Sequence, residues 1–210
     1  INLTGIGLKF SNLMISMAGQ NILLILLLLM LASLLMGMGL PTTPCYLILA
    51  VLGAPALIRL GVEPLAAHMF VFYFGCISMI TPPVALAVYA ATSIAESDYW
   101  KTAFHALTLG ISAFIVPFMF VYNPSLLWIG SPLTIAVTGI TAMLGAILLG
   151  AGLSGWFLAK TNAVERILLV ASGFLLIDPA AWTNYLGLAG LAVVLILQRK
   201  KKPQEALKAQ

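Results

Sequence analysis

Charged residues are scarce in this sequence of 210 residues: Asp, Glu, Lys and Arg make up 8% of it, whereas 62% of the residues are hydrophobic. Soluble domains carry about 25% charged residues, so the composition excludes an ordinary soluble domain. The mean hydropathy of +1.10 points the same way. We therefore predict an all-α polytopic membrane protein.

Carboxylates are missing from the long apolar stretches. The acidic residues before the C-terminal tail fall at predicted helix ends or in loops: Glu63, Glu96, Asp98, Glu165 and Asp178. Their positions argue against a proton relay of the Asp/Glu type and against an intramembrane protease. They favour coupling to a metal cation such as Na⁺ through carbonyl and hydroxyl oxygens, with no other cofactor.

Cysteine and histidine are also rare, with two of each. Cys45 and Cys76 lie in apolar sequence at a spacing typical of neither a disulfide framework nor a metal site, although a bridge between them stays open. We interpret both as small buried hydrophobes. His68 and His105 lack an acidic partner at helical spacing, which favours packed or interfacial histidines over ligands.

Residues 21–60 form the most informative stretch, two apolar runs separated by GMGLPTTPC. Residues 22–36 would form a helix about 22 Å long, short of the roughly 30 Å of a bilayer core, and the second run is also short. Glycine and proline between the runs oppose a continuous helix. We predict a re-entrant helical hairpin whose tip lies inside the membrane, where non-helical backbone must be buried or line a watery cavity.

A second broken element is predicted over residues 64–95, which Thr81-Pro82-Pro83 interrupts. Around these two elements we expect an arm helix at 3–18, a short surface helix at 96–106 and a span at 106–122. Residues 131–198, of which 133–158 are rich in small residues, are expected to form accessory transmembrane helices. Residues 199–210 would be a basic cytoplasmic tail, a topology signal rather than a nucleic-acid patch.

The basic residues also predict an orientation. With the tail in the cytoplasm, alternation places Lys101, Lys160 and Arg166 inside and leaves two outer loops without Lys or Arg. The hairpin would then enter from the outer face, and Arg59 is the one basic residue assigned to that side.

The two breaks share a pattern of hydroxyl residues before proline. Thr42 and Thr43 precede Pro44, and Thr81 precedes Pro82, which predicts an N-cap followed by the first helical position. Each break would end one half-helix, exposing carbonyls to a cation, and start another, offering N–H groups to a carboxylate. We predict that Thr43 faces Thr81. Ser78, one turn before Thr81, either completes the cation site or bonds back to its own helix.

Discontinuous helices of this kind are typical of secondary transporters. The alternatives are half of another ion-coupled transporter, an ion channel subunit with a re-entrant loop as its filter, a membrane enzyme and a purely structural subunit. A filter favours a repeated carbonyl motif, and an enzyme needs an acid, base or metal constellation within the bilayer; the sequence contains neither. A structural subunit fits residues 131–198 but leaves both breaks unexplained.

Four stretches of the chain resemble the large membrane subunit of tripartite ATP-independent periplasmic (TRAP) transporters, and more closely the fused permeases of the TAXI branch. They are GIGLKFSNLMISMAGQN (5–21), GMGLPTTPCYLILAVLGAPAL (37–57), FVFYFGCISMITPPVALAVYAA (70–91) and FIVPFMFVYNPSLL (114–127). The trailing region, with NAVERILLVASGFLLIDP, is similar to the extra C-terminal region of fused permeases. C4-dicarboxylate members commonly carry an acidic residue where this chain has Cys76, which suits the TAXI branch.

The resemblance implies an elevator-type, inverted-repeat transporter of the bacterial inner membrane that takes up organic acids with Na⁺. Its partners would be a periplasmic substrate-binding protein, the N-terminal half of the permease, the small-subunit helices and the lipid bilayer. The first repeat is absent, so we expect this chain to be one half of a larger permease. By position, the cation site would comprise Gly37, Gly39, Thr43, Ser78 and Thr81, and the substrate site Thr42, Thr43, Thr81, Pro82 and Pro83.

Overall fold

A computed structural model describes residues 6–19, 21–178 and 180–208, and the side chains of residues 9–19, 21–178, 180 and 182–199. Within these ranges the fold is helical and has no strand, which confirms the predicted all-α class. The α-helices are α1 (Ile6–Ala18), α2 (Ile22–Gly37), α3 (Thr42–Leu52), α4 (Ala54–Arg59), α5 (Pro64–Ile77), α6 (Leu86–Ala95), α7 (Tyr99–Leu109), α8 (Ile111–Tyr122), α9 (Pro132–Ser154), α10 (Ala163–Ile177) and α11 (Ala181–Lys208). Short 3₁₀ helices occupy Ser78–Ile80 and Pro124–Leu127.

The helices are interrupted at both predicted breaks, and the re-entrant path of the first element stays a prediction. The hairpin consists of α2, a turn at 38–41, and α3 followed by α4, and the broken helix consists of α5 and α6. The expectation that both hairpin runs are too short to span is wrong for the second: Thr42–Arg59 forms 18 helical residues of sufficient hydropathy. Its interruption at Gly53 is slight, because the Gly53 N–H still donates to the Leu49 carbonyl.

The region around residue 110 differs from the prediction. Helix α7 runs on to Leu109, past the expected boundary at 106, and α8 begins only at Ile111. The two helices bend by 40° at Gly110. Together they are long and apolar enough to form one broken span or a re-entrant loop. In the described part of the chain, Thr42–Arg59 and α9 have the length and composition to cross a membrane, and this bent pair is the third candidate.

The chain divides into two compact units. The first contains the described residues up to 107 and residues 113–127, and the second contains 108–112 and the described residues from 128 onward. Helix α5 forms the centre of the first unit, with the hairpin helices packed against it. Its Phe70 and Phe74 are fully buried and meet Phe118 of α8 edge to face at centroid distances of 5.3 and 5.9 Å. Such pairs add about 0.5–1.5 kcal/mol each to the burial of apolar area.

Helix α1 is joined by hydrogen bonds to the last residues of α3 and α4. The Ser11 hydroxyl donates to the Leu52 carbonyl at 3.1 Å, and Arg59 Nη1 donates to Asn12 Oδ1 at 2.6 Å. Arg59, the basic residue that the orientation assigns to the outer face, is thus held by a hydrogen bond to the arm helix.

The second unit is a bundle of α9, α10 and α11 that meets at glycines. A Cβ on Gly145 would lie 2.6 Å from Ile177 Cγ1 and 2.7 Å from the Gly173 carbonyl oxygen. Glycine has no side chain, so the backbones of α9 and α10 can approach closely at Gly145 and Gly173. This is the small-residue packing that the sequence predicts for this region. Helix α10 begins with a capping box formed by Asn162 and Glu165.

Candidate functional site

At the tip of the hairpin, α2 ends with backbone carbonyls that lack a partner in the following turn. The Met38 N–H donates to the Leu34 carbonyl at 3.2 Å, and the chain then turns away from the helix. Among the described residues, no backbone N–H beyond the end of α2 donates to the carbonyl oxygens of Leu35, Met36 or Gly37. A helix C-terminus also carries partial negative charge, so this end of α2 is suited to a cation.

The second break ends α5 with two hydroxyls turned back onto the helix. Ser78 Oγ donates to the Gly75 carbonyl at 2.6 Å, and Thr81 Oγ1 donates to the Ile77 carbonyl at 2.8 Å. Of the two roles predicted for Ser78, the bond to its own helix is the one observed. Since a hydroxyl has one proton and two lone pairs, both oxygens still have capacity to accept or to coordinate.

Two residues of the predicted cation site, Gly37 and Ser78, are in direct contact, and we call this contact the Gly37–Ser78 junction. A Cβ placed on Gly37 would lie 2.6 Å from Ser78 Cβ and 3.4 Å from the Gly75 carbonyl oxygen. Only a residue without a side chain allows α2 to approach the 3₁₀ segment this closely. The junction therefore brings the carbonyl end of α2 to the end of α5.

Ser33 is a residue of this region that the sequence reasoning missed. It lies one turn before Gly37 on the same face of α2 and is fully buried. Its Oγ has no hydrogen-bond partner among the described residues, and a buried hydroxyl left unpaired costs about 1–3 kcal/mol. The signal was available, because Ser33 is the single polar side chain between residues 22 and 36.

The start of α3 corrects the predicted cap at the hairpin tip. Helix α3 begins at Thr42, after Pro41, so Thr43 is not an N-cap and Pro44 is the third helical residue. Proline fits there because N–H groups in the first turn have no acceptor within the helix. Thr43 and Pro44 are exposed and Thr42 is half-buried. A Cβ on Gly39 would meet nothing within 4 Å, so this glycine is not part of the close contact.

The predicted N-cap at Thr81 is also wrong. Pro82 and Pro83, joined by a cis peptide bond, lie in a turn, and α6 begins only at Leu86. Ala85 precedes it in the left-handed conformation with φ of 38°, which is uncommon for residues other than glycine. Thr81 instead closes the preceding 3₁₀ helix, because its N–H donates to the Ser78 carbonyl. Its hydroxyl is bonded to Ile77, so a pairing of Thr81 with Thr43 stays a prediction.

Tyr99 on α7 stabilises the second break and was not expected there. Its hydroxyl donates to the Pro83 carbonyl at 2.8 Å. This bond joins the start of α7, which the sequence assigns to a polar surface stretch, to the turn between α5 and α6. The sequence offers no signal for it, since the two residues are 16 positions apart.

The remaining candidates are the two histidines and the two cysteines. His68 is half-buried and bonds through Nδ1 to the Tyr46 hydroxyl at 3.2 Å, as a packed histidine would, whereas His105 is exposed. Cys45 is buried and Cys76 is half-buried, and both are free thiols. Over the described residues, no group of three His, Cys, Asp or Glu side chains is placed to hold a metal ion.

The acidic residues of the first unit lie where the sequence predicts, and all three are exposed. Glu63 precedes α5, Glu96 follows α6, and Asp98 precedes α7. The Gly37–Ser78 junction therefore offers neutral oxygens, from carbonyls and hydroxyls.

A family model described as the DctM component of the tripartite ATP-independent periplasmic transporter matches residues 1–135, more than half of the chain. The chain belongs to this DctM family. No curated protein and no solved structure matches it. As a TRAP permease, the chain is a component of a secondary transporter and not of an enzyme family, which favours transport over the channel and enzyme alternatives.

Membership of the DctM family also implies which kinds of protein the chain works with. A TRAP permease works in the membrane with a periplasmic binding protein and other subunits. The match ends near the start of α9, so most of the second unit lies beyond it. The hairpin, the broken helix and the Gly37–Ser78 junction all lie within it.

Proposed function

We propose that this DctM-family chain is part of a Na⁺-coupled permease of the TAXI branch, which takes up organic acids across the bacterial inner membrane. A periplasmic binding protein would deliver the organic acid. The observation that carries the proposal is the Gly37–Ser78 junction, because it joins the carbonyl end of one half-helix to the end of another. Cys76, in place of the acidic residue common in C4-dicarboxylate members, supports the TAXI branch.

The coupling ion would bind beside the junction. Na⁺ is a hard cation that takes oxygen ligands, and the carbonyls that lack a backbone donor at the end of α2 are such ligands. The Ser78 hydroxyl donates to Gly75 and directs its lone pairs elsewhere, so it can coordinate without losing its own bond. The unpartnered, buried Ser33 hydroxyl one turn away adds a further oxygen donor.

The substrate carboxylate would bind at the starting half-helices. The N–H groups of Thr42 and Thr43, and those of the first turn of α6 from Leu86, have no acceptor within their helices. Together with the positive end of the helix dipole they suit an anion. Thr42, Thr43, Thr81 and the two following prolines remain the residues that we assign to the substrate side.

The two ligands would act in sequence. Na⁺ would hold the tip of α2 against the 3₁₀ segment by coordinating carbonyls that the end of the helix leaves without a backbone donor. Fixing the tip would also fix the first turn of α3, four residues further along the chain, and so complete the substrate site. The loaded hairpin and broken helix would then move together past a fixed scaffold, as in an elevator.

Uptake by proteoliposomes that contain the complete permease and its binding protein tests this function. We expect uptake of a labelled organic acid to require an inward Na⁺ gradient and to stop when K⁺ replaces Na⁺. Thr81→Val removes a hydroxyl from the second break and Thr43→Ala removes one from the hairpin tip; each should lower uptake at limiting organic acid about tenfold, the effect of losing roughly 1.4 kcal/mol of binding. Thr138→Val on α9 is the matched control and should leave uptake unchanged. Undiminished uptake without Na⁺, or intact uptake in both site variants, contradicts the proposal.

A further inference from the structure

The second unit contains an apolar groove with a cationic end, which we call the Arg166 groove. It has a volume of about 310 Å³ and is lined by Gly152, Leu153, Arg166, Ile167, Val170 and Ala171. It lies between α9 and α10, in the part of the chain beyond the DctM match. Its volume falls at the lower end of the roughly 300–1,000 Å³ of small-molecule sites.

The groove runs from the end of a membrane span towards its interior. Helix α9 is long and apolar enough to cross the membrane and ends at Ser154, so Gly152 and Leu153 lie in its last turn. Val170 and Ala171 lie one turn or more further along α10 from Arg166. The apolar end therefore faces the depth of acyl chains, and the charged end lies at the level of headgroups.

Two hydrogen bonds hold Arg166 in this position and leave other N–H donors of its guanidinium unused. Its Nε donates to the Gly152 carbonyl and its Nη2 to the Leu153 carbonyl, both at 2.9 Å, yet the side chain stays exposed. A guanidinium has five N–H donors, so further donors remain for an anion. The neighbouring Glu165 does not face the groove, because its carboxylate is buried and accepts from the Asn162 N–H and from Gln198.

We infer that the Arg166 groove binds an anionic phospholipid, with one acyl chain along Ile167, Val170 and Ala171 and the phosphate on the Arg166 guanidinium. Basic pockets between transmembrane helices on the cytoplasmic side bind anionic headgroups by this combination of charge and apolar surface. The positive-inside pattern of the sequence places Arg166 on that side, where anionic lipid is available.

Lipid titration of the purified full-length protein in detergent, read by native mass spectrometry, tests the inference. We expect phosphatidylglycerol to bind more tightly than phosphatidylcholine with the same acyl chains, and glycerol 3-phosphate to bind far more weakly than either. Arg166→Gln should weaken phosphatidylglycerol binding about five-fold, the effect of one Arg at the membrane surface. Lys160→Gln removes one charge from the neighbouring α9–α10 loop without changing the lining and should retain binding.

A second variant keeps the test informative if Arg166→Gln disturbs the end of α9. Ala171→Phe fills the apolar end of the groove, where residue 171 is exposed, and should weaken phosphatidylglycerol and phosphatidylcholine alike. The inference is overturned if the two lipids bind equally, or if Lys160→Gln and Arg166→Gln have the same effect. Unchanged lipid binding by Ala171→Phe, or glycerol 3-phosphate binding as tightly as the lipid, also overturns it.

Discussion

Replacing Gly37 by alanine is the most direct perturbation of the Gly37–Ser78 junction. The added methyl would lie 2.6 Å from Ser78 Cβ, closer than side-chain carbons approach one another. Ser78 Cβ is fixed to the backbone and the Ser78 hydroxyl is bonded to Gly75, so neither can move aside without breaking local structure. The end of α2 and the 3₁₀ segment must separate instead.

The size of the effect follows from two opposing terms. Overpacking at a tight contact costs about 1–3 kcal/mol. Alanine within a helix recovers about 1 kcal/mol relative to glycine. Because the clash is with backbone-fixed atoms, we expect a net loss of about 1–2 kcal/mol and a larger loss of transport, since the separation occurs at the proposed cation site.

The assay is equilibrium unfolding of the purified protein, with Gly39→Ala as the control. Gly39 lies two residues away, and its Cβ would meet nothing within 4 Å. Gly39→Ala should therefore stay within about 0.5 kcal/mol of the native protein. Ser78→Gly combined with Gly37→Ala should restore part of the lost stability, with a coupling of about 0.5–3 kcal/mol. Equal effects of the two alanines, or zero coupling between Gly37 and Ser78, would refute the close contact.

Three further substitutions test other contacts by the same unfolding measurement. Gly145→Ala should cost about 1–3 kcal/mol by forcing α9 from α10, whereas Gly150→Ala, with open space around it, should not; equal values contradict the packing. Tyr99→Phe should cost about 0.5–1.5 kcal/mol by removing the donor to the second break, and Tyr89→Phe on the exposed face should cost nothing measurable. Gln198→Leu should cost about 0.5–1.5 kcal/mol, because it removes the acceptor of the Leu158 N–H and one donor to Glu165, and an unchanged stability would show that water replaces it.

The helical class and both breaks could be predicted because local chemistry decides them. Low charge and long apolar runs specify membrane helices, and Gly37, Gly39 and Pro41 interrupt one run while Pro82 and Pro83 interrupt another. These residues act through their own backbone preferences, which a sequence displays directly.

The helix starts and the site contacts could not be predicted, because they depend on competition and on distant partners. Thr81 can cap a following helix or close the preceding one, and the nearby Ile77 carbonyl takes its hydroxyl. The sequence predicts a boundary at residue 106, whereas α7 continues to Leu109 and the bend falls at Gly110. The contact of Gly37 with Ser78 joins residues from two elements; no periodicity encodes it, and only the resemblance to TRAP permeases places both residues at one site.

The Na⁺ dependence of uptake by Ser78→Ala tests the central claim most directly. The measurement is the Na⁺ concentration at half-maximal uptake in proteoliposomes that contain the complete permease and its binding protein. The matched control is Ser154→Ala, because Ser154 also donates to a carbonyl three residues back but lies outside the proposed site. If Ser78 coordinates Na⁺, this concentration rises about tenfold in Ser78→Ala, as expected for about 1.4 kcal/mol of lost binding, and does not change in Ser154→Ala. An unchanged value in Ser78→Ala would contradict a cation site at the Gly37–Ser78 junction.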